Sequence, residues 1–136
     1  PLTVRSFASR NETSLMAVDL ERPVIHIKSD NVTIDGFAIQ LAPPDKTPLS
    51  PGVHVDAADG LIENARILNN SFSYGLYGLL LEGAFQAEII GNLFENNAFH
   101  GLYLKESTES VIQDNSFVSN QGDGVLLEEY RDEQDK

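Results

Sequence analysis

Apolar residues recur at every second position in several short segments, a spacing that indicates β-strands rather than helices. The clearest segments are Val53-His54-Val55, Leu79-Leu80-Leu81 and Leu102-Tyr103-Leu104, in which the first and third side chains share one face. No window shows a sustained helical period, and turns rich in Asn, Gly, Ser and Asp separate the segments. The pattern therefore predicts an all-β chain.

The strand segments belong to a repeat. The run Gly78–Glu82 returns as Gly101–Lys105 and again as Gly124–Glu128, 23 residues apart each time. A second set of matching segments begins at isoleucines spaced 28, 27 and 23 residues apart, namely Ile34, Ile62, Ile89 and Ile112. A unit this short cannot bury its own apolar face, whereas stacked units share a continuous core. The repeat predicts a parallel β-helix with three short strands in each coil.

The repeated motif Ile-x-x-Asn-x-Phe-x-x-Asn-x-x-x-Gly-x-x-Leu resembles the parallel β-helix repeats of the pectin-lyase-like superfamily. Within that superfamily it is most similar to the repeats of NosD-type periplasmic proteins and archaeal surface proteins. The resemblance covers residues 23–128 and implies a right-handed, single-stranded parallel β-helix of about four full coils. It also implies an extracellular, cell-surface or periplasmic location and polysaccharide as a possible partner.

The segments outside the repeat are short. Residues 1–22 are expected to supply an incomplete first coil, and residues 129–136 a charged tail. Solenoids need polar caps, and no amphipathic capping helix is evident at either end of the sequence. We therefore expect either that the chain is a piece of a longer solenoid or that its ends make contacts with other coils or chains.

Alignment of the copies predicts four inward columns of side chains along the helix axis. They are Ile25-Val53-Leu79-Leu102-Val125, Ile27-Val55-Leu81-Leu104-Leu127, Ile34-Ile62-Ile89-Ile112 and Ile39-Ile67-Phe94-Phe117. The extra residues of the longer copies are placed after the last column, at residues 42–51 and 69–77. Two asparagine columns, Asn92-Asn115 and Asn70-Asn97-Asn120, are expected to bond the backbone of adjacent coils.

Composition excludes several classes of function. The chain has 9 Lys and Arg against 21 Asp and Glu, a net charge of −12, which argues against binding to nucleic acid. It has no cysteine, so disulfides and cysteine-based metal sites are excluded. No apolar stretch approaches the roughly 20 residues of a membrane span.

Two histidines are predicted to lie on adjacent strands and to face outward. His26 and His54 occupy one outward column about 4.8 Å apart, with Asp56 on the same face. Two imidazoles and a carboxylate can bind zinc or copper, and calcium is a further possibility for the acidic face. The simpler interpretation is a pair of half-exposed surface histidines with no cofactor. Along the next column, Lys28–Asp56 and Glu82–Lys105–Glu128 are expected to form ion pairs.

The same outward column continues as an apolar strip of Leu80, Tyr103 and Leu126. The candidate carbohydrate-binding residues beside it are Tyr77, Phe99, His100 and Tyr103. In the superfamily that the chain resembles, polysaccharide binds along this strand and the turn before it. The alternative is that the turn at residues 68–77 folds over the strip and buries it.

Three functional hypotheses follow. Paired aspartates with Gly-His-Gly and Arg-x-Lys motifs, typical of polygalacturonase-like relatives, are missing, which favours a non-catalytic module. Such a module is a scaffold or weak glycan-binding segment of a larger surface or periplasmic protein. One alternative is a fragment of a carbohydrate-active lyase, hydrolase or epimerase. The other is metal handling through the histidine pair.

Overall fold

The computed structural model describes residues 1–58 and 60–129, so Glu129 alone of the expected charged tail is described. These residues form strands, turns and loops, without a helix. Fifteen of the strands form three parallel sheets of five strands each. The chain is therefore a parallel β-helix, as the repeat predicts.

Each sheet takes one strand from every coil. Sheet 1 contains β3 (Ile25–Ile27), β6 (Val53–Asp56), β10 (Leu79–Glu82), β14 (Leu102–Lys105) and β17 (Val125–Glu128). Sheet 2 contains β1 (Leu2–Arg5), β4 (Val32–Asp35), β8 (Arg66–Leu68), β12 (Glu88–Ile90) and β15 (Val111–Gln113). Sheet 3 contains β2 (Ser14–Met16), β5 (Ala38–Gln40), β9 (Ser71–Ser73), β13 (Leu93–Glu95) and β16 (Ser116–Val118). A two-stranded sheet pairs β7 (Ile62–Glu63) with β11 (Ala84–Phe85).

The register of sheet 1 confirms both predicted inward columns. Leu79 pairs with Val53 on one side and with Leu102 on the other, and Leu81 pairs with Val55 and Leu104 in the same way. Side chains alternate between the two faces of a strand, so these columns point into the interior of the β-helix. Leu79 and Leu81 are fully buried there.

The predicted columns of sheets 2 and 3 are wrong in one coil. Ile67, not Ile62, pairs with Ile34 and Ile89 in sheet 2. Phe72 takes the position assigned to Ile67 in sheet 3, where it pairs with Ile39 and Phe94. The alignment was therefore five residues out of register between Asp56 and Leu79.

An inserted segment causes this shift. The extra residues of this coil lie between β6 and β8, and not within residues 69–77, which include β9. The segment contains β7, whose Ile62 is buried and so imitates a core isoleucine of sheet 2. The other insertion lies where expected, in the proline-rich loop between β5 and β6.

Stacked asparagines connect the turns of adjacent coils through hydrogen bonds to the backbone. The Asn92 side-chain amide donates to the Ile67 carbonyl at 2.9 Å, and its oxygen accepts the Asn70 backbone N–H at 2.9 Å. Asn115 repeats both bonds one coil further on. Asn70 thus belongs to the column of Asn92 and Asn115, and not to that of Asn97 and Asn120 as predicted. The left-handed residue of each turn is the one before the ladder asparagine, such as Gly91 with φ 72°.

Candidate functional site

The predicted metal site lies on the outer face of sheet 1, at the edge formed by β3. The rings of His26 and His54 stack with their centroids 5.0 Å apart and their planes 5° from parallel. The parallel register of β3 and β6 places the two histidines side by side, which produces this stacking. His26 is exposed and His54 is half-buried.

Each imidazole bonds to a carboxylate two residues further along the next strand. His26 Nε2 lies 3.0 Å from Asp56 Oδ2, and His54 Nε2 lies 2.8 Å from Glu82 Oε1. Asp56 Oδ1 also accepts the Ala58 backbone N–H at 2.9 Å. The pKa of Asp56 is lowered, mainly by this backbone hydrogen bond and secondly by the hydrogen bond to His26. The carboxylate is therefore ionised across the neutral range.

The expected lysine–carboxylate ladder is wrong within the described residues. Asp56 and Glu82 form hydrogen bonds with histidines, and in that part of the chain neither Lys28 nor Lys105 forms an ion pair. The sequence alignment considered only neighbours in the same column, whereas the imidazoles reach diagonally into the adjacent column. Glu82 is consequently a partner of His54 that the alignment missed, although it lies two residues further along the next strand, as Asp56 does for His26.

His26, His54 and Asp56 together form what we call the histidine cluster. One ligand atom from each of the three lies within 4.8 Å of the others. Metal–ligand bonds of about 2.0 Å bring ligand atoms to within about 4 Å of one another. Small side-chain rotations would therefore bring this donor set onto one ion.

The four candidate carbohydrate-binding residues also lie together, further along the same face. Tyr77 stacks on His100 with ring centroids 5.6 Å apart, and Tyr103 meets both rings edge-on at 5.1 and 5.5 Å. Phe99 lies 6.4 Å from Tyr77 and has 53% of its surface exposed. We call these four residues the aromatic cluster.

The apolar strip is only partly covered. Leu80 is buried and Tyr103 is half-buried, and Tyr77 contacts Tyr103 from the turn between β9 and β10. That turn spans residues 74–78, not 68–77, and Phe72 belongs to the core. The Tyr103 hydroxyl donates to the Glu128 carboxylate, which together with burial raises the pKa of Tyr103 to about 12.

Fold and site define a parallel β-helix protein with a histidine–carboxylate cluster on the outside of one sheet. A family model described as periplasmic copper-binding protein (NosD) matches residues 9–134. The chain therefore belongs to the NosD family, as the resemblance of its repeats indicates, and the family description agrees with the expected extracellular, surface or periplasmic location. Comparison with curated proteins and with solved structures gives no match. Within the described residues, no helix is long and apolar enough to cross a membrane.

Proposed function

We propose that this protein is a non-catalytic β-helix module that binds one copper ion through the histidine cluster. The observation that carries the proposal is the convergence of three ligand atoms, from His26, His54 and Asp56, within 4.8 Å. The family description names copper as the metal, and the nitrogen and oxygen donors of the histidine cluster suit that ion.

The chemistry of the donors supports copper over other divalent ions. Imidazole nitrogens suit copper, and among divalent first-row metals copper binds most tightly to a given nitrogen and oxygen site. Calcium prefers six to eight oxygen ligands, which this cluster does not offer. Asp56 adds the negative charge that partly neutralises the ion.

The rigidity of the scaffold also supports the proposal. His54 lies between Val53 and Val55, which are fully buried in the core, and His26 lies on an edge strand anchored by the buried Ile27. Ligands on packed strands lose little further conformational freedom when they bind a metal. Glu82 holds His54 through its Nε2 atom and so orients the ring.

Copper titration followed by calorimetry tests the proposal. We expect one copper ion per chain in the native protein, and nitrogen coupling in its electron paramagnetic resonance spectrum. The variant His54→Ala removes one donor and is expected to weaken binding at least tenfold. Copper should also raise the melting temperature of the native protein, because a ligand that binds only the folded state stabilises it.

The chain contains a matched control. His100 is its third histidine and lies in the aromatic cluster, away from the metal ligands. His100→Ala should bind copper as the native protein does. Equal loss of affinity in the two variants, or unchanged affinity in His54→Ala, would show that the histidine cluster is not the copper site.

A second candidate function is weak glycan binding, which the aromatic cluster favours. Phe99 is exposed and the other three rings are half-buried beside the sheet, and aromatic faces of this kind stack on sugar rings. Lys105, whose Nζ lies 6.0 Å from the centre of the Tyr103 ring, would supply a polar contact for sugar hydroxyl groups.

Binding to immobilised glycans tests this second function independently of copper. Phe99→Ala removes the most exposed ring of the cluster and should abolish retention. Phe7→Ala removes an exposed aromatic ring elsewhere on the surface and serves as the control. No retention of the native protein on pectate, alginate or neutral glycans would leave only the copper-binding function.

A further inference from the structure

A polar cleft lies on the side of the solenoid, at the corner between sheets 2 and 3. Its volume is about 410 Å³, and one wall of it is the loop that joins β1 to β2. The opposite wall contains the corner residues of three successive coils, namely Gly36, Asn69 and Gly91. We call it the arginine cleft, because Arg5 and Arg10 also line it. Stacked corners and a loop form this site, so it belongs to a side face of the β-helix and not to an end.

Glycines at the corner leave room for the loop and for the side chains of the lining. Gly36 has φ 89°, and a Cβ atom there would lie 3.2 Å from the Cβ of Ser6 in the loop. Gly91 has φ 72°, and a Cβ atom there would lie 2.6 Å from Asn69 Oδ1, closer than real Cβ atoms approach. Glycine accepts this backbone conformation and adds no side chain that would fill the cleft.

Hydrogen bonds hold the loop in one conformation. The Thr13 backbone N–H donates to the Ser9 carbonyl at 2.9 Å, and the Ser6 hydroxyl donates to the Thr13 hydroxyl at 2.7 Å. The Ser6 backbone N–H donates to the Asp35 carbonyl at 2.9 Å and anchors the start of the loop to sheet 2. Arg10 is therefore carried by an ordered segment.

Arg10 reaches from the loop to the corners of two later coils. Its Nη1 atom donates to the Asn70 carbonyl at 3.0 Å and to the Gly91 carbonyl at 2.9 Å, and the side chain is half-buried. Among the described residues, its Nε and Nη2 atoms form no hydrogen bond and no carboxylate pairs with the guanidinium. One side of the group is thus fixed by the fold, while the other side is left for a ligand.

The unused side of Arg10 has the geometry of an anion-binding group. The N–H bonds of Nε and Nη2 lie side by side in the guanidinium plane and match two oxygens of a carboxylate or a phosphate. A half-buried cation without a counter-ion carries a desolvation cost that a bound anion offsets. This arrangement occurs in a chain with 21 acidic residues, which makes a lone half-buried arginine unexpected.

The charges of the lining also favour a small anion. Arg5 Nε bonds to Asp35 Oδ2 at 2.9 Å, so these two charges offset each other and the charge of Arg10 remains. The volume lies within the range of about 300–1,000 Å³ that is usual for small-molecule sites. The net charge of −12 repels extended polyanions such as nucleic acid or an anionic membrane surface.

We propose that the arginine cleft binds a small anion, with a carboxylate or phosphate group held by Nε and Nη2 of Arg10. The Ser9 hydroxyl accepts the Asn11 backbone N–H at 3.2 Å and can donate its own O–H to a ligand oxygen. The Asn11 side chain lines the same cleft and offers amide donors. This site is separate from the histidine cluster on sheet 1 and does not rest on the proposed copper binding.

Titration of the native protein with inorganic phosphate and, separately, with acetate tests the proposal. The ionic strength is held constant with chloride, and nuclear magnetic resonance follows the Nε–H signals of the arginine side chains. We expect a saturable shift of the Arg10 signal with one anion per chain, and the tighter of the two anions identifies the group that the site takes. No saturable shift with either anion up to about 50 mM would overturn the proposal.

Two variants change the site in different ways. Arg10→Lys keeps the positive charge and a donor for the two carbonyls but lacks the paired N–H groups, so binding should weaken roughly tenfold. Asn11→Asp places a carboxylate in the cleft and leaves the bonds of Arg10 to both carbonyls in place. It should weaken binding as well, and it keeps the test informative if the loop shifts in Arg10→Lys. Unchanged affinity in Asn11→Asp would contradict the proposed site.

The chain offers a matched control for the first variant. Arg66 lies on the outer face of sheet 2, outside the cleft, and its Nε bonds to Glu88 Oε2 at 2.7 Å. Arg66→Lys should bind the anion as the native protein does. Equal loss of affinity in Arg66→Lys and Arg10→Lys would mean that the anion responds to general surface charge, which would also overturn the proposal.

Discussion

The interior and the ends of the solenoid are made of the same repeat but differ in burial. Phe94 and Phe117 occupy the same column one coil apart, with stacked rings 5.1 Å apart. Phe94 is fully buried, because coils lie on both sides of it, whereas Phe117 near the end is half-buried. The stability that a repeat residue contributes is therefore set by the coils beside it and not by its position within the repeat.

The largest difference should appear in the phenylalanine column. Phe94→Ala removes a ring packed between Phe72 and Phe117 and should lower the free energy of unfolding by about 3–5 kcal/mol. Phe117→Ala loses contacts on one side only and should cost about half as much. Urea denaturation of both variants measures the two costs. Equal costs would mean that the last coils are covered as well as the interior.

The leucine column gives a second comparison. Leu104 is 3% exposed and Leu127 is 66% exposed, although they are paired neighbours in sheet 1. Leu104→Ala should cost about 2–5 kcal/mol, and Leu127→Ala less than about 1 kcal/mol. A small cost for Leu104→Ala would contradict the burial pattern.

The regular coils were predictable from sequence because their repeat length is constant. The register of β10, β14 and β17 follows from glycine–leucine segments 23 residues apart. The register of the coil between Asp56 and Leu79 could not be predicted in this way, because Ile62 of the inserted segment carries the same apolar signal as a core residue. The motif Ile-x-x-Asn-x-Phe at residues 67–72 was the signal that could have corrected the alignment, since it recurs at residues 89–94.

The candidate sites were predictable to different degrees. The pairing of His26 with His54 follows from strand register alone, because both residues belong to one outward column. The bonds from His54 to Glu82 and from Tyr103 to Glu128 required side-chain geometry that crosses from one column to the next. Residue spacing identifies columns, but diagonal contacts depend on how far each side chain reaches.

The asparagine ladder should show the same contrast between interior and end. Asn92→Ala leaves the Ile67 carbonyl and the Asn70 N–H without their partner in a buried turn. An unpaired buried group costs about 1–3 kcal/mol, so thermal unfolding of this variant should show a clear loss. Asn115→Ala removes the same bonds from a more exposed turn and should cost less. A greater loss in Asn115→Ala would reverse the expected order.

The smallest effect concerns a hydrogen bond that ties β14 to the terminal strand β17. The neutral hydroxyl of Tyr103 donates to Glu128, and this bond is the main reason why the pKa of Tyr103 rises from 10 to about 12. Since the folded state holds the proton more tightly than the unfolded state, the bond stabilises the fold below pH 10 and ceases to do so as the pH rises through 12. Between these values the native protein should therefore lose more stability than Tyr103→Phe, which has no hydroxyl.

Titration of the phenolate absorbance provides the check, because Glu128→Gln removes the charge and should bring the pKa of Tyr103 back towards its ordinary value. An unchanged titration in Glu128→Gln would show that the last strand does not hold Tyr103 in solution.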